Sequence, residues 1–345
     1  MKTAKLRNLD PEVQKKFPTF RRVDTKWSKG KYYLGAPFAL IRGMTAIVSI
    51  IMTGISFKLI CLGKSYDGNK NPLNGWRATL CKMVIRLASL TIYISHGVIY
   101  NYKQIDYDYS EYLGKDYKKT QKTPENPGSI VMQGHASWID NLIAIRQYGC
   151  SFVGKESLKK APLLGQILNV HGMLFVNRGG TQEERDQQIE QIVDRQRKCE
   201  TTGRYTALGV FAEGTTTNNQ YVLPFKRGAF VGNCSILPGF VHYECPGVSA
   251  VHDTKYQLPQ MIIAFCSFDI NISLTELPLF VPNDYLYQTH KDKGSEKWEI
   301  YAWAIRDILA KACGKPMIEV QLKEKFEYES ALGYRKTPGD NKKKD

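Results

Sequence analysis

Two residues in this chain have the types and the spacing for proton transfer. They are His135 and Asp140, in the run Val131-Met132-Gln133-Gly134-His135-Ala136-Ser137-Trp138-Ile139-Asp140. Imidazole titrates near neutral pH, so it can take a proton and give it back. A carboxylate on Nδ1 fixes the tautomer and leaves Nε2 free to act. The pair reads as a general base in need of a hydroxyl substrate. The spacing taken alone fits equally well a turn histidine capped by an Asp at a helix start. The elements around the pair and the rest of the chain must separate the two readings.

The positioning elements are legible from periodicity. An apolar run at 129–132 predicts a short buried strand, Gly134 ends it, and His135 falls on the turn. Residues 138–148 predict a helix with Trp138, Ile139, Leu142 and Ile145 on its apolar face. Asp140 then lies in the first helical turn, able to fold back onto the imidazole. From residue 126 onward, short β-type runs alternate with helices, the pattern of a sheet with crossovers. Strands are predicted at 150–153, 173–176, 205–211 and 235–243, with later antiparallel strands at 260–268 and 272–279. Helices are predicted at 162–169, 181–199 and 295–313. The second of these is capped by Thr181 with Glu184 three residues on, and buries a stripe of Ile189, Ile192, Val193 and Cys199. Ser137 suits a turn or helix cap better than a nucleophile.

The chain has 345 residues, 43% of them apolar, which is ordinary globular content. Lys and Arg number 48 against 33 Asp and Glu, a net charge of +15 that points to nucleic acid or an anionic membrane surface. Zinc-finger spacing, RNP-like runs and basic zipper heptads are missing, so the membrane is favoured. Eight cysteines are scattered singly without a C-x-x-C pair, which implies reduced thiols, no disulfide frame and no zinc. Residues 1–35 are basic and irregular, suited to a membrane surface, a partner or plain solvent. Their mixed charge, with Asp10, Glu12 and Asp24, argues against a signal peptide or a cleaved presequence. Residues 43–62 are the most apolar stretch and can just cross a hydrocarbon core. Residues 76–100 are a second, weaker apolar helix carrying Arg77, Lys82, Arg86 and His96. Charge at that density favours a helical hairpin dipped into one leaflet, over 36–100, joined by a turn-rich connector at 63–75. The organisation expected is a basic segment at 1–35, the hairpin at 36–100, a catalytic domain at 101–320 and a charged tail at 321–345.

Four blocks follow one another in order: Gly134-His135-x4-Asp140, Gly172-Met173-Leu174-Phe175-Val176-Asn177-Arg178, Phe211-Ala212-Glu213-Gly214-Thr215-Thr216-Thr217-Asn218 and Ser235-Ile236-Leu237-Pro238. Together they resemble the glycerolipid acyltransferases of the PlsC-like type. The extended third block and the upstream Asn74-Gly75-Trp76-Arg77 look specifically like the lysophosphatidylcholine and lysophosphatidylethanolamine acyltransferases. The likeness covers about residues 72–285. It implies an α/β fold with a mixed β-sheet flanked by helices, entered from the membrane-associated hairpin. It also implies transfer of a fatty acyl group from acyl-CoA to a lysophospholipid hydroxyl, with His135 as base and Asp140 orienting it.

The resemblance makes Arg178 the acceptor-phosphate ligand, a role suited to a guanidinium at a strand end. Asn177 stands before it where many relatives carry an acid. Gly214 lets the backbone approach a ligand, and Thr215 with neighbouring N–H groups can hold phosphate or glycerol oxygens. Glu213 accepts from the acceptor's polar groups or fixes the loop, and Lys226 with Arg227 adds positive charge at the rim. Ala212 stands where many relatives have Pro, and Gly239 follows Pro238 in place of an apolar residue. Lys155 is a further candidate for CoA phosphates. No EF-hand pattern is present, so no metal and no cofactor are expected, acyl-CoA being a co-substrate. The expected partners are lysophospholipid, acyl-CoA and anionic membrane lipids, without nucleic acid. Two other readings use the same fold: a non-enzymatic subunit of a larger membrane assembly, and a lipid-binding module without turnover. The sequence leaves the endoplasmic reticulum and the mitochondrial inner membrane equally open.

Overall fold

The computed structural model describes residues 11–21, 29–63, 66–120, 123–177, 181–245, 261, 262, 264–268 and 270–332. Its centre is a seven-stranded sheet. The strands are β1 (Val98–Gln104), β2 (Ser129–Gln133), β3 (Ser151–Lys155), β4 (Leu174–Val176), β5 (Leu208–Phe211), β6 (Ile236–Glu244) and β7 (Ile270–Glu276). They lie in the order β1-β7-β6-β2-β5-β3-β4. Neighbours run parallel except β6 and β7, which are antiparallel. The expected α/β class, a mixed sheet flanked by helices, is therefore what the chain adopts. β2 lies between β6 and β5, and every one of its residues is buried. A strand covered on both faces reads as a continuous apolar run, which is how its sequence reads.

The helices cover the sheet. In chain order they are α1 (Pro11–Lys16), α2 (Lys29–Ile60), α3 (Gly75–Ser95), α4 (Ser110–Leu113), α5 (Tyr117–Thr120), α6 (Ile139–Tyr148), α7 (Leu164–Val170) and α8 (Gln182–Thr202). After them come α9 (Asp284–Thr289), α10 (Lys297–Cys313) and α11 (Leu322–Ala331). On α10 the residues Ile300, Tyr301, Ala304, Ile305, Ile308 and Leu309 are buried at helical spacing and build the largest apolar cluster with Val131, Phe230 and Phe280. The Thr181 capping box forms as expected, with Glu184 N to Thr181 Oγ1 at 3.3 Å and Thr181 N to Glu184 Oε2 at 3.1 Å.

Helices α2 and α3 form the hairpin. Cys81, Ile85, Ser89 and Ile92 mark the buried stripe of α3, and Phe57 of α2 is fully buried beside Cys81 and Ile85. The opposite faces are apolar and bare: Leu40, Met44, Ile47, Val48, Met52 and Leu59 on α2, Trp76, Met83, Leu87 and Ile94 on α3. Both helices are long and apolar enough to cross a membrane. An unpartnered apolar surface of this extent marks a membrane or protein contact.

Several local expectations differ from what is found. Residues 261, 262, 264 and 265 are helical, where the sequence predicts a strand. Phe265 packs edge-on against His96 and Trp138, and Arg42 of α2 donates to the carbonyls of Phe265 (2.7 Å) and Ser267. Those tertiary contacts decide a short apolar run that periodicity leaves ambiguous. The second apolar helix stops at Ser95, because Gly97 turns the chain (φ +65°) into β1. On α6 the buried apolar residues are Ile139, Ile143, Ala144 and Ile145, while Leu142 is half-buried. On α8 the buried stripe is Ile192, Arg195, Gln196 and Cys199. Arg195 is tolerated there because it donates to the carbonyls of Thr206 (2.7 Å) and Gly68 (2.9 Å) and to Asn69 Oδ1 (2.8 Å). Residues from early and late in the described chain pack together. Phe17 and Phe20 are buried with Leu223, Val320 and Tyr328 of α11. The tail beyond residue 332 lies outside the described residues.

Candidate active site

The turn between β2 and α6 is built around one carboxylate. Asp140 Oδ2 accepts from His135 Nδ1 at 2.9 Å and from the backbone N–H groups of Ala136 and Ser137, each at 2.8 Å. Its Oδ1 accepts from the Tyr243 hydroxyl, which β6 brings alongside. Asp140 is fully buried, and four donors balance the cost of burying the charge. With a carboxylate on Nδ1, that nitrogen carries the proton and Nε2 is the ring's acceptor. The His135 side chain keeps 20% of its surface exposed. Its ring stacks on Phe211 at the end of β5, with centroids 4.0 Å apart and planes 15° from parallel. The imidazole is thus fixed by a hydrogen bond and a stacked ring.

Gly134 is where the turn requires glycine. Its φ is +91°, and a Cβ there would lie 2.6 Å from both Asn219 Oδ1 and the Val241 carbonyl. Ser137 is buried and its Oγ accepts from Ile139 N at 3.4 Å, a turn contact just ahead of α6, whose N-cap residue is Trp138.

The loop after β5 lies against this turn. Thr217 N donates to the His135 carbonyl at 2.9 Å. Glu213 is buried, with Oε1 accepting from Leu223 N at 3.2 Å and Oε2 without a partner. Burial raises its pKa to about 7, against the pull of the Leu223 N–H and the Lys315 charge. Gln133 points its Nε2 toward Asn219 Oδ1 (3.5 Å) and the Tyr221 carbonyl (3.4 Å), and its buried Oε1 has no partner. Gly214 has φ +71°, and a Cβ there would lie 3.2 Å from Lys226 Cγ. Lys226 N donates to the Ala212 carbonyl at 2.8 Å, and its side chain is exposed at the rim.

The structure joins His135 and Asp140 on the turn after β2, and it places Glu213, Gly214 and Thr215 in the loop after β5, which meets that turn through the Thr217 N to His135 carbonyl bond; Lys226 N bonds the Ala212 carbonyl at the start of the loop. Arg178 lies outside the described residues. Lys155 is exposed at the end of β3, paired in register with Val176. Among the described residues no group of three or more His, Cys, Asp or Glu could hold a metal ion. Two contributors are not apparent from sequence: Tyr243, which donates to Asp140, and Lys315, whose charge acts on Glu213. A buried carboxylate must have donors, which is a signal that some hydroxyl or N–H faces Asp140. Nothing in the sequence selects Tyr243 from 20 tyrosines.

Comparison with known proteins gives the same direction. Residues 115–239 match the Acyltransferase family model. A lysophospholipid acyltransferase of Arabidopsis thaliana is 29% identical over 61% of this chain and 50% of its own length. The lysophosphatidylcholine acyltransferase of Drosophila melanogaster is 24% identical over 85% of this chain and 51% of its own. The chain thus spans about half the length of these curated relatives. The crystal structure of PlsC, the 1-acyl-sn-glycerophosphate acyltransferase of Thermotoga maritima, superposes with a TM-score of 0.51 at 16% identity, covering 81% of this chain and 96% of that one. At that identity the likeness concerns the fold. The resemblance carried by the four sequence blocks is borne out: the segment that holds His135 and Asp140 is similar to the Acyltransferase family.

Proposed function

We propose that the protein is a membrane-bound acyltransferase that moves a fatty acyl group from acyl-CoA to the hydroxyl of a lysophospholipid. The observation that carries this reading is the 2.9 Å bond between His135 Nδ1 and Asp140 Oδ2, with the ring part-exposed and Nε2 left as acceptor. Nε2 takes the proton of the lipid hydroxyl as its oxygen attacks the thioester carbon. The tetrahedral adduct collapses with loss of the CoA thiolate, which receives that proton back from the imidazolium. The products are an ester and free CoA, and Asp140 holds the transient positive ring throughout. The thioester is already activated, so no enzyme-bound acyl group is needed.

In this reading Glu213, Gly214 and Thr215 receive the acceptor's polar groups, while Lys226 and Arg178 supply positive charge for its phosphate. The bare apolar faces of α2 and α3 sit in the bilayer, where the lipid substrate resides, and the basic excess favours an anionic surface. A non-enzymatic scaffold has no physical use for an oriented imidazole with an open acceptor nitrogen. The test is transfer of a labelled acyl group from acyl-CoA to a panel of lysophospholipids, run beside His135→Ala. Turnover by the unaltered protein and a loss of about 10²–10⁴-fold in the variant are expected. Equal turnover in the two proteins refutes the catalytic assignment.

A further inference from the structure

We propose that Lys325, on α11, is a positioning residue for the loop that receives the lipid acceptor, and that it sets the affinity for that substrate. The inference rests on the acceptor-loop reading above. An ammonium group has three N–H donors. Lys325 Nζ directs them at Thr215 Oγ1 (2.9 Å), Thr216 Oγ1 (2.8 Å) and the Thr216 carbonyl (2.8 Å). All three bonds go to two consecutive loop residues, from a lysine about 110 positions away in sequence.

The bond directions matter for a ligand. A threonine hydroxyl that accepts from an ammonium keeps its own proton to donate. The Thr216 hydroxyl is polarised in this way, and that of Thr215 has only a 3.5 Å contact to the Thr216 carbonyl. Both suit a phosphate or glycerol oxygen. The other end of the chain closes the same clamp. Phe20 is buried on Tyr328 and covers Lys325, whose Nζ lies 5.8 Å from the ring centroid. Asn218 N donates to the Thr19 carbonyl at 3.0 Å, and Asn218 Nδ2 to those of Pro18 (2.6 Å) and Arg21 (3.1 Å). The loop's opposite side is tied to the base through Thr217 N and the His135 carbonyl. Residues 18–21 and 325 lie outside the matched acyltransferase segment, yet they fix where its threonines point.

The experiment measures acyl transfer with each substrate varied in turn, in Lys325→Met, Lys325→Arg and the unaltered protein. Lys325→Met keeps most of the side-chain volume and removes the donors. It is expected to raise the KM for lysophospholipid roughly tenfold, leaving kcat and the KM for acyl-CoA within about twofold. Lys325→Arg is expected to bring the lysophospholipid KM back to within about threefold of the starting value. An unchanged lysophospholipid KM, or a parallel rise in both KM values, overturns the proposal. If Lys325→Met does not fold, Thr216→Val removes one of the three acceptors and must raise the same KM; no rise there overturns it. Absence of transfer by the unaltered protein with every lysophospholipid refutes the acyltransferase reading itself, and this inference with it.

Discussion

Removing the Tyr243 hydroxyl tests how the carboxylate behind the base is held. Asp140 is fully buried, and Tyr243 is the donor to its Oδ1. The Tyr243 phenol is pushed well above its ordinary pKa by burial and then by the Asp140 charge, so it stays a neutral donor at every working pH. Tyr243→Phe keeps the ring and its packing and leaves one carboxylate oxygen without its partner. An unsatisfied buried acceptor costs about 1–3 kcal/mol. The three bonds to Oδ2 remain, so the imidazole keeps its tautomer and its approximate place. A thermal midpoint lowered by several degrees is expected, with kcat/KM falling less than about tenfold. The pair can be isolated by a double-mutant cycle with Asp140→Ala. In that background the tyrosine hydroxyl has no carboxylate to serve, and Tyr243→Phe should cost about 0.5 kcal/mol or less. Melting curves and initial acyl-transfer rates on the four proteins give the coupling. Stability equal to the unaltered protein in the single variant, or the same loss in both backgrounds, refutes the account of Asp140 as a carboxylate satisfied from within the protein.

Asp140→Asn removes the charge that steadies the imidazolium, and kcat should fall by about 10²–10⁴-fold with little change in either KM, read from initial rates. Gly134→Ala places a Cβ 2.6 Å from two oxygens at positive φ, so loss of folded protein or a large drop in melting temperature is expected. Glu213 has a raised folded pKa of about 7 against an ordinary 4.5, so the native state binds the extra proton between those values. Its contribution is fully present below about pH 4.5 and is lost as pH rises through 7, by up to roughly 3 kcal/mol. Glu213→Gln should flatten that part of the stability profile in pH-dependent melting. Charged substitutions on the bare face of α2, such as Met44→Glu with Ile47→Glu, should release the protein from lipid vesicles without lowering its melting temperature, since neither side chain is buried. Retained binding in sedimentation would contradict membrane contact through that face.

The sequence by itself determined the local pieces of this protein. Residues 130–132 read as a buried strand because three apolar side chains follow one another, and Gly134 reads as its end because glycine permits the turn. The His135–Asp140 pairing was legible because a first-turn carboxylate reaches back by local geometry alone. The capping box at Thr181 was legible for the same reason. What tertiary structure decided is everything that depends on partners distant in sequence. It made residues 261, 262, 264 and 265 helical inside the strand expected at 260–268, by packing Phe265 on His96 and Trp138. It buried Arg195 in a stripe expected to be aliphatic, because carbonyls from two other segments were waiting for it. It chose Tyr243 as the second donor to Asp140 and brought Lys325 onto Thr215 and Thr216. Backbone periodicity records which face of an element is buried, but a side-chain bond across the fold depends on where two elements meet, and that is written in their packing.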